Sequence, residues 1–179
     1  MLGRNQVSMT HYRQIILCLS SLQLVVVCGS LCQSTNDERH QLINRLQHFR
    51  DLPDEIVVAA LDSADVRVQR EDTLVLSALF DMTAESDGYV SELLGAILGN
   101  LFLQRTEFFL HSLLTRTREQ QSDIASMAFY MDGGGMSSHD FQQIEVRLRA
   151  VQQSKEQNLA ELARICLSAL QAGRKEVQN

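Results

Sequence analysis

Apolar residues recur at helical spacing along most of the chain after residue 35. They begin with a stripe made by Leu42, Ile43, Leu46 and Phe49. Thr35 and Glu38 have the spacing of a capping box, which predicts that a helix starts there. The only proline, Pro53, predicts its end, because proline cannot continue a helix from within.

Seven further segments show a helical pattern. They cover residues 53–65, 68–84, 89–104, 107–117, 120–131, 140–151 and 157–172. The segment 89–104 is apolar almost all round, with Leu98 in its second half, and this pattern predicts a helix at the centre of the fold. The last two segments have narrow apolar stripes and are joined by a polar stretch, so we expect them to pack antiparallel.

The composition agrees with a helical fold. One proline, no tryptophan and 45% hydrophobic residues describe a globular chain that is poor in the turn and aromatic residues of β proteins. We therefore predict an all-α fold over residues 35–179. It would be one compact domain of about seven or eight short helices, packed as antiparallel pairs in a HEAT-like arrangement or as an orthogonal bundle.

One short stretch suggests the HEAT-like alternative. The sequence "ALDSADVRVQREDTLVLSAL", residues 60–79, resembles a single HEAT-type helical repeat, with a turn at Asp62 and Asp65, then Val66 and Arg67, and an apolar helix after them. No second copy follows at a fixed period, as an array would require. The resemblance implies helices stacked in antiparallel pairs, and it implies no function.

The N-terminal residues have the order of a secretory signal. Residues 14–34 carry no charge and follow Arg4, His11 and Arg13. We predict that residues 1–34 are a signal peptide, with the start at Met1 or Met9 and cleavage near residues 30–34. The protein would then be exported, periplasmic or secreted. The alternative is a membrane anchor formed by residues 14–34 if the signal is not cleaved.

Cysteines and charge narrow the classes of function. Cys166 alone lies deep in the predicted domain, on an apolar stripe, and we expect a buried, inert thiol. The whole chain has a net charge of −6, and it would be −8 without Arg4 and Arg13. Proteins without a basic patch bind nucleic acid weakly, so we expect no nucleic-acid partner. The acidic net charge favours a protein partner with a basic surface.

The stretch "FYMDGGGMSSHD" is the main candidate for a functional loop. A phosphate-binding loop would follow a strand and continue into a lysine, and neither condition is met here. We interpret residues 132–138 as a flexible connector, with a new helix cap at Ser137 or Ser138. The candidate partner-binding residues in this loop are Met131, Asp132, Gly134, Met136 and His139. Methionines and aromatics at helical spacing nearby are expected to face the core instead.

No pattern of residues predicts a metal, a cofactor or a catalytic site. The leading hypothesis is an exported helical protein without enzymatic activity, which binds another protein or has a structural role in the envelope. One alternative is a small acidic inhibitor or immunity-type protein that neutralises an exported enzyme. The other is a hydrolase that uses Asp132, His139 and Asp140 in the 132–140 loop.

Overall fold

The computed structural model describes residues 36–129 and 137–176. The chain divides into two units, Met1–Gln41 and Leu42–Asn179. In the first unit, the described residues 36–41 are helical. The predicted signal peptide and its cleavage region lie outside the described residues, as does Thr35 of the predicted capping box.

The second unit is built from helices. Residues 42–47 are helical and are called α1 here. A short 3-10 turn, Phe49–Asp51, precedes α2 (Asp54–Val68), α3 (Thr73–Met82), α4 (Gly88–Gln104), α5 (Thr106–Leu113), α6 (Arg118–Phe129), α7 (Ser138–Gln152) and α8 (Gln157–Glu176). Among the described residues there is no strand, and the all-α prediction is confirmed. None of the helices in the described part of the chain has the length and apolar character needed to cross a membrane.

Helix α4 lies at the centre of this unit, as its apolar sequence predicts. It packs against α2, α5, α6 and α7. Leu98 is fully buried in it, and the ring of Phe102 meets those of Phe109 and Phe129 edge to face, with centroids 5.5 and 5.1 Å apart. Such aromatic pairs add to the free energy gained by burying the rings. The interior around α4 is therefore an apolar core that no ion pair interrupts among the described residues.

A glycine sets the distance between α4 and α6. A Cβ atom built on Gly95 would lie 2.9 Å from the carbonyl oxygen of Met127 in α6. A methyl group cannot occupy that position unless one helix backbone moves. Glycine therefore allows the two helices to approach more closely than any other residue would.

The last two helices pack against each other, and α8 also packs against α6. Only residues 153–156 separate α7 from α8, so the two helices run antiparallel. Their facing stripes are buried and include Ile144 and Leu148 in α7 and Leu162 and Cys166 in α8. This pairing agrees with the one predicted from the apolar pattern.

The predicted turn at Asp62 and Asp65 is wrong, because both residues lie within α2. The helix continues to Val68, since a buried stripe of Val57, Ala60, Leu61, Ala64 and Val68 holds it against the core. The actual turn occupies residues 69–72, where Glu71 has a φ of 64°. Asp72 then caps α3 by accepting a hydrogen bond from the backbone nitrogen of Val75 at 3.2 Å.

Candidate functional site

The predicted partner-binding loop is described only in part. Met131, Asp132, Gly134 and Met136 lie outside the described residues. His139 lies in the first turn of α7 and is exposed. Of the five candidate residues, the structure therefore describes only His139, together with the start of the helix on which it lies.

The start of α7 is a capping box. The Ser137 hydroxyl accepts a bond from the backbone nitrogen of Asp140 at 3.2 Å, and Asp140 Oδ2 accepts one from the backbone nitrogen of Ser137 at 2.8 Å. The bonds from the Ser137 backbone and hydroxyl lower the pKa of Asp140, and His139 adds to this effect. Of the two predicted cap positions, Ser137 and Ser138, the structure shows the cap at Ser137.

An open, shallow surface lies along one face of α7. It is lined by His139, Gln142, Gln143, Val146 and Arg147. The first four have the i, i+3, i+4, i+7 spacing of one helix face. Val146 is 67% exposed toward the C-terminal end of this face and is its only aliphatic residue. We call these five residues the α7 surface.

Three hydrogen bonds hold side chains of the α7 surface in place. Gln143 Nε2 lies 2.8 Å from His139 Nε2, so the amide donates and the ring nitrogen accepts. Arg147 donates to the backbone oxygen of Leu103 and, at 2.9 Å, to Thr106 Oγ1, at the junction of α4 and α5. These bonds restrain the His139, Gln143 and Arg147 side chains.

A groove lies between α6 and α8. Its lining residues are Arg118, Ser122, Glu161, Arg164, Ile165 and Ser168. Arg118 Nη2 donates to one oxygen of Glu161 at 3.0 Å, and Arg164 Nη1 donates to the other at 2.5 Å. Two guanidinium groups thus share one carboxylate, and the three side chains together carry a charge of +1. We call these six residues the α6–α8 groove.

A third arginine, Arg116, belongs to the framework. Its Nη1 donates to Asp81 Oδ1 at 2.6 Å, and its Nη2 donates to the backbone oxygen of Ser77 at 2.8 Å and to the Ser77 hydroxyl at 2.6 Å. The guanidinium carbon also lies 5.6 Å from the centre of the Phe80 ring. These contacts fasten the α5–α6 connection to α3.

The remaining candidate residues form no reactive or metal-binding group among the described residues. Burial raises the pKa of the Cys166 thiol to about 12, so the thiol stays protonated and the prediction of a buried cysteine is confirmed. Within residues 36–129 and 137–176, no group of three His, Cys, Asp or Glu side chains could hold a metal ion. Phe129 and Phe141, expected to face the core, are buried there, and Met127 packs against it.

The sequence patterns did not predict the α7 surface or the α6–α8 groove, for different reasons. A signal for the α7 surface was present, since Val146 interrupts an otherwise polar face opposite the Ile144 stripe. The α6–α8 groove had no local signal, because Arg118 and Arg164 are far apart in sequence and meet only through helix packing.

Comparison with protein-family models, curated proteins and solved structures gave no match to this chain. The case for function therefore rests on the geometry of the α7 surface and on the sequence pattern.

Proposed function

We propose that this chain is an exported helical protein without enzymatic activity, which binds another protein through the α7 surface. The exposed side chain of Val146 carries this proposal. It offers an aliphatic contact beside an imidazole, two amides and a guanidinium group. Protein interfaces likewise combine apolar and polar contacts.

Three further features support binding at this place. The candidate residues Met131, Asp132, Gly134 and Met136 directly precede α7 in sequence, and Met136 is three residues from His139. Methionine side chains adapt to the shape of a partner. The acidic charge of the chain favours a partner with a basic surface, which electrostatic attraction would bring into contact faster.

The hydrolase alternative receives less support from the α7 start. His139 is hydrogen-bonded to Gln143, and Asp140 is bonded to Ser137 in the capping box. These hydrogen bonds hold the start of α7 and the α7 surface in place. Screening the full chain against hydrolase substrates tests the alternative: activity that His139→Ala abolishes would favour a hydrolase over a binding protein.

Affinity capture with the full chain from a native envelope fraction tests the proposal. We expect one partner at a defined stoichiometry, and we expect Val146→Glu to lose it. Val66 is a matched control, because it is also an exposed valine, 53% accessible, on α2. Val66→Glu should retain the partner. Loss of capture in both variants, or in neither, would contradict the assignment to α7.

The small acidic inhibitor is a narrower form of the same proposal. Its partner would be a single exported enzyme, and the captured enzyme would lose activity in the complex. The export component has its own test, which is the intact mass of the chain after osmotic shock. We expect a released protein that begins between Ser30 and Thr35, whereas a membrane-bound chain that retains Met1 or Met9 would show an anchor.

A further inference from the structure

We propose that the α6–α8 groove binds a phosphate-type oxyanion. Its central observation is the sharing of Glu161 by Arg118 and Arg164, which leaves a net charge of +1 on these three side chains in a chain whose net charge is −6. Ser122 and Ser168 line the same groove with hydroxyl groups. The site is independent of the α7 surface and of the proposed function.

The number of donors favours an oxyanion. Each guanidinium has five N–H groups and gives one hydrogen bond to Glu161, so most of the donors of Arg118 and Arg164 have no acceptor among the described residues. Planar guanidinium groups match the oxygens of phosphate through paired hydrogen bonds. The lining contains no other carboxylate among the described residues.

The geometry favours a tetrahedral ion over a carboxylate. Donors come from two helices, with Arg118 and Ser122 one turn apart on α6 and Arg164 and Ser168 one turn apart on α8. A carboxylate offers only two oxygens, and the Glu161 carboxylate already occupies one side of the groove. The groove has a volume of about 400 Å³ and is open to solvent, so a small oxyanion can enter it.

Glu161 then acts as an internal competitor for the ligand. Its two oxygens hold the arginines in the positions that an incoming oxyanion would use. An oxyanion of higher charge would attract the arginines more strongly than one carboxylate does. Removing the Glu161 charge should therefore strengthen binding, although it breaks two ion pairs. If the ion pairs are only structural, Glu161→Gln should not bind phosphate more tightly than the wild type does.

Calorimetric titration of the full chain with inorganic phosphate, at an ionic strength held constant with sodium chloride, tests the site. We expect saturable binding, a loss of at least tenfold in affinity for Arg118→Gln/Arg164→Gln, and a severalfold gain for Glu161→Gln. Arg149→Gln is the matched control, because Arg149 pairs with Glu145 one turn away on α7 and lies outside the groove. Its affinity should not change.

A second titration distinguishes a free ion from a phosphate group on a larger molecule. A phosphoserine peptide that binds at least tenfold more tightly than inorganic phosphate, with the same dependence on Arg118 and Arg164, would identify the larger molecule as the ligand. Equal affinities would identify the free ion. The proposal is overturned if the folded wild type and the folded Glu161→Gln variant show no saturable binding, or if Arg149→Gln lowers the affinity as much as the double variant. Circular dichroism establishes that each variant is folded.

Discussion

Helix α6 has a different environment on each of two sides. Toward α4 it is dry, with the Met127 backbone against Gly95 and the Phe129 ring against Phe102. Toward the groove it shares with α8, it presents Arg118 and Ser122 to solvent. At Gly95 the first side has no room for another carbon atom, whereas the second side has open space and guanidinium donors that bond to no described residue. Tight packing on one side holds the other in place, and we expect substitutions on the two sides to have separate effects.

Arg116 and Arg118 make the same contrast within two residues. The Arg116 side chain is 15% exposed and uses its guanidinium on Asp81 and Ser77, while the Arg118 side chain is 78% exposed and bonds only to Glu161 among the described residues. Side-chain charge alone does not separate the two roles. What separates them is how many of the donors are already used.

Leu98→Ala should have the largest effect on stability. Leu98 is fully buried in α4, so the substitution removes contacts and leaves a cavity. We expect a loss of about 2 to 5 kcal/mol in the free energy of unfolding. Chemical denaturation measures it, and phosphate binding by the folded fraction should be retained. An unchanged midpoint would show that α4 is peripheral.

Arg116→Met should cost the next largest amount. It keeps the aliphatic stem but removes the charge-assisted bonds to Asp81 and Ser77, and such bonds are worth about 1.5 to 3 kcal/mol. The free energy of unfolding should fall by an amount in that range, measured by urea denaturation. A loss below the one seen for Arg118→Met would remove the distinction between the two arginines.

Gly95→Ala tests the close contact between α4 and α6. The new methyl group would lie 2.9 Å from the Met127 carbonyl oxygen, so a helix must shift. Overpacking of this kind costs about 1 to 3 kcal/mol. Asn100→Ala, at an exposed position on the same helix, is the control and should not destabilise the protein. Equal melting temperatures for the two variants would mean that the helices do not approach this closely.

Arg118→Met should have the smallest effect on stability. The Arg118–Glu161 pair is exposed, and such pairs contribute less than about 1 kcal/mol. We expect a nearly unchanged melting temperature together with weaker phosphate binding. A large loss of stability would instead place Arg118 in the framework beside Arg116.

The helical class and the central position of α4 could be predicted, because both follow from local patterns. Helix α4 is apolar almost all round, which predicts its central position, and Leu94, Leu98, Gly99, Leu101 and Phe102 are buried. The end of α2 could not be predicted as easily, since Asp62 and Asp65 look like turn residues and yet lie on the outer part of a helix whose other side is buried. The polar run at residues 69–72, with Asp72 as a cap, was the better signal.

The candidate sites depended on information that a local pattern does not contain. The sequence predicts a role for His139 because it follows the glycines closely. The residues beside it on the α7 surface are known only once the helix is known. The α6–α8 groove requires knowing that α6 and α8 adjoin. The apolar pattern predicts that each helix has a buried side. It does not predict which helices pack against each other.

Site-specific photo-crosslinking tests the central claim, binding through the α7 surface, most directly. A photoreactive phenylalanine derivative would replace Val146 in one variant of the full chain and Val66 in another, and both would be irradiated in the native envelope. Because both positions are exposed valines on helices, they differ mainly in location. We predict one adduct of defined mass from position 146 and none from position 66. No adduct at position 146, or the same adducts at both positions, would contradict the account.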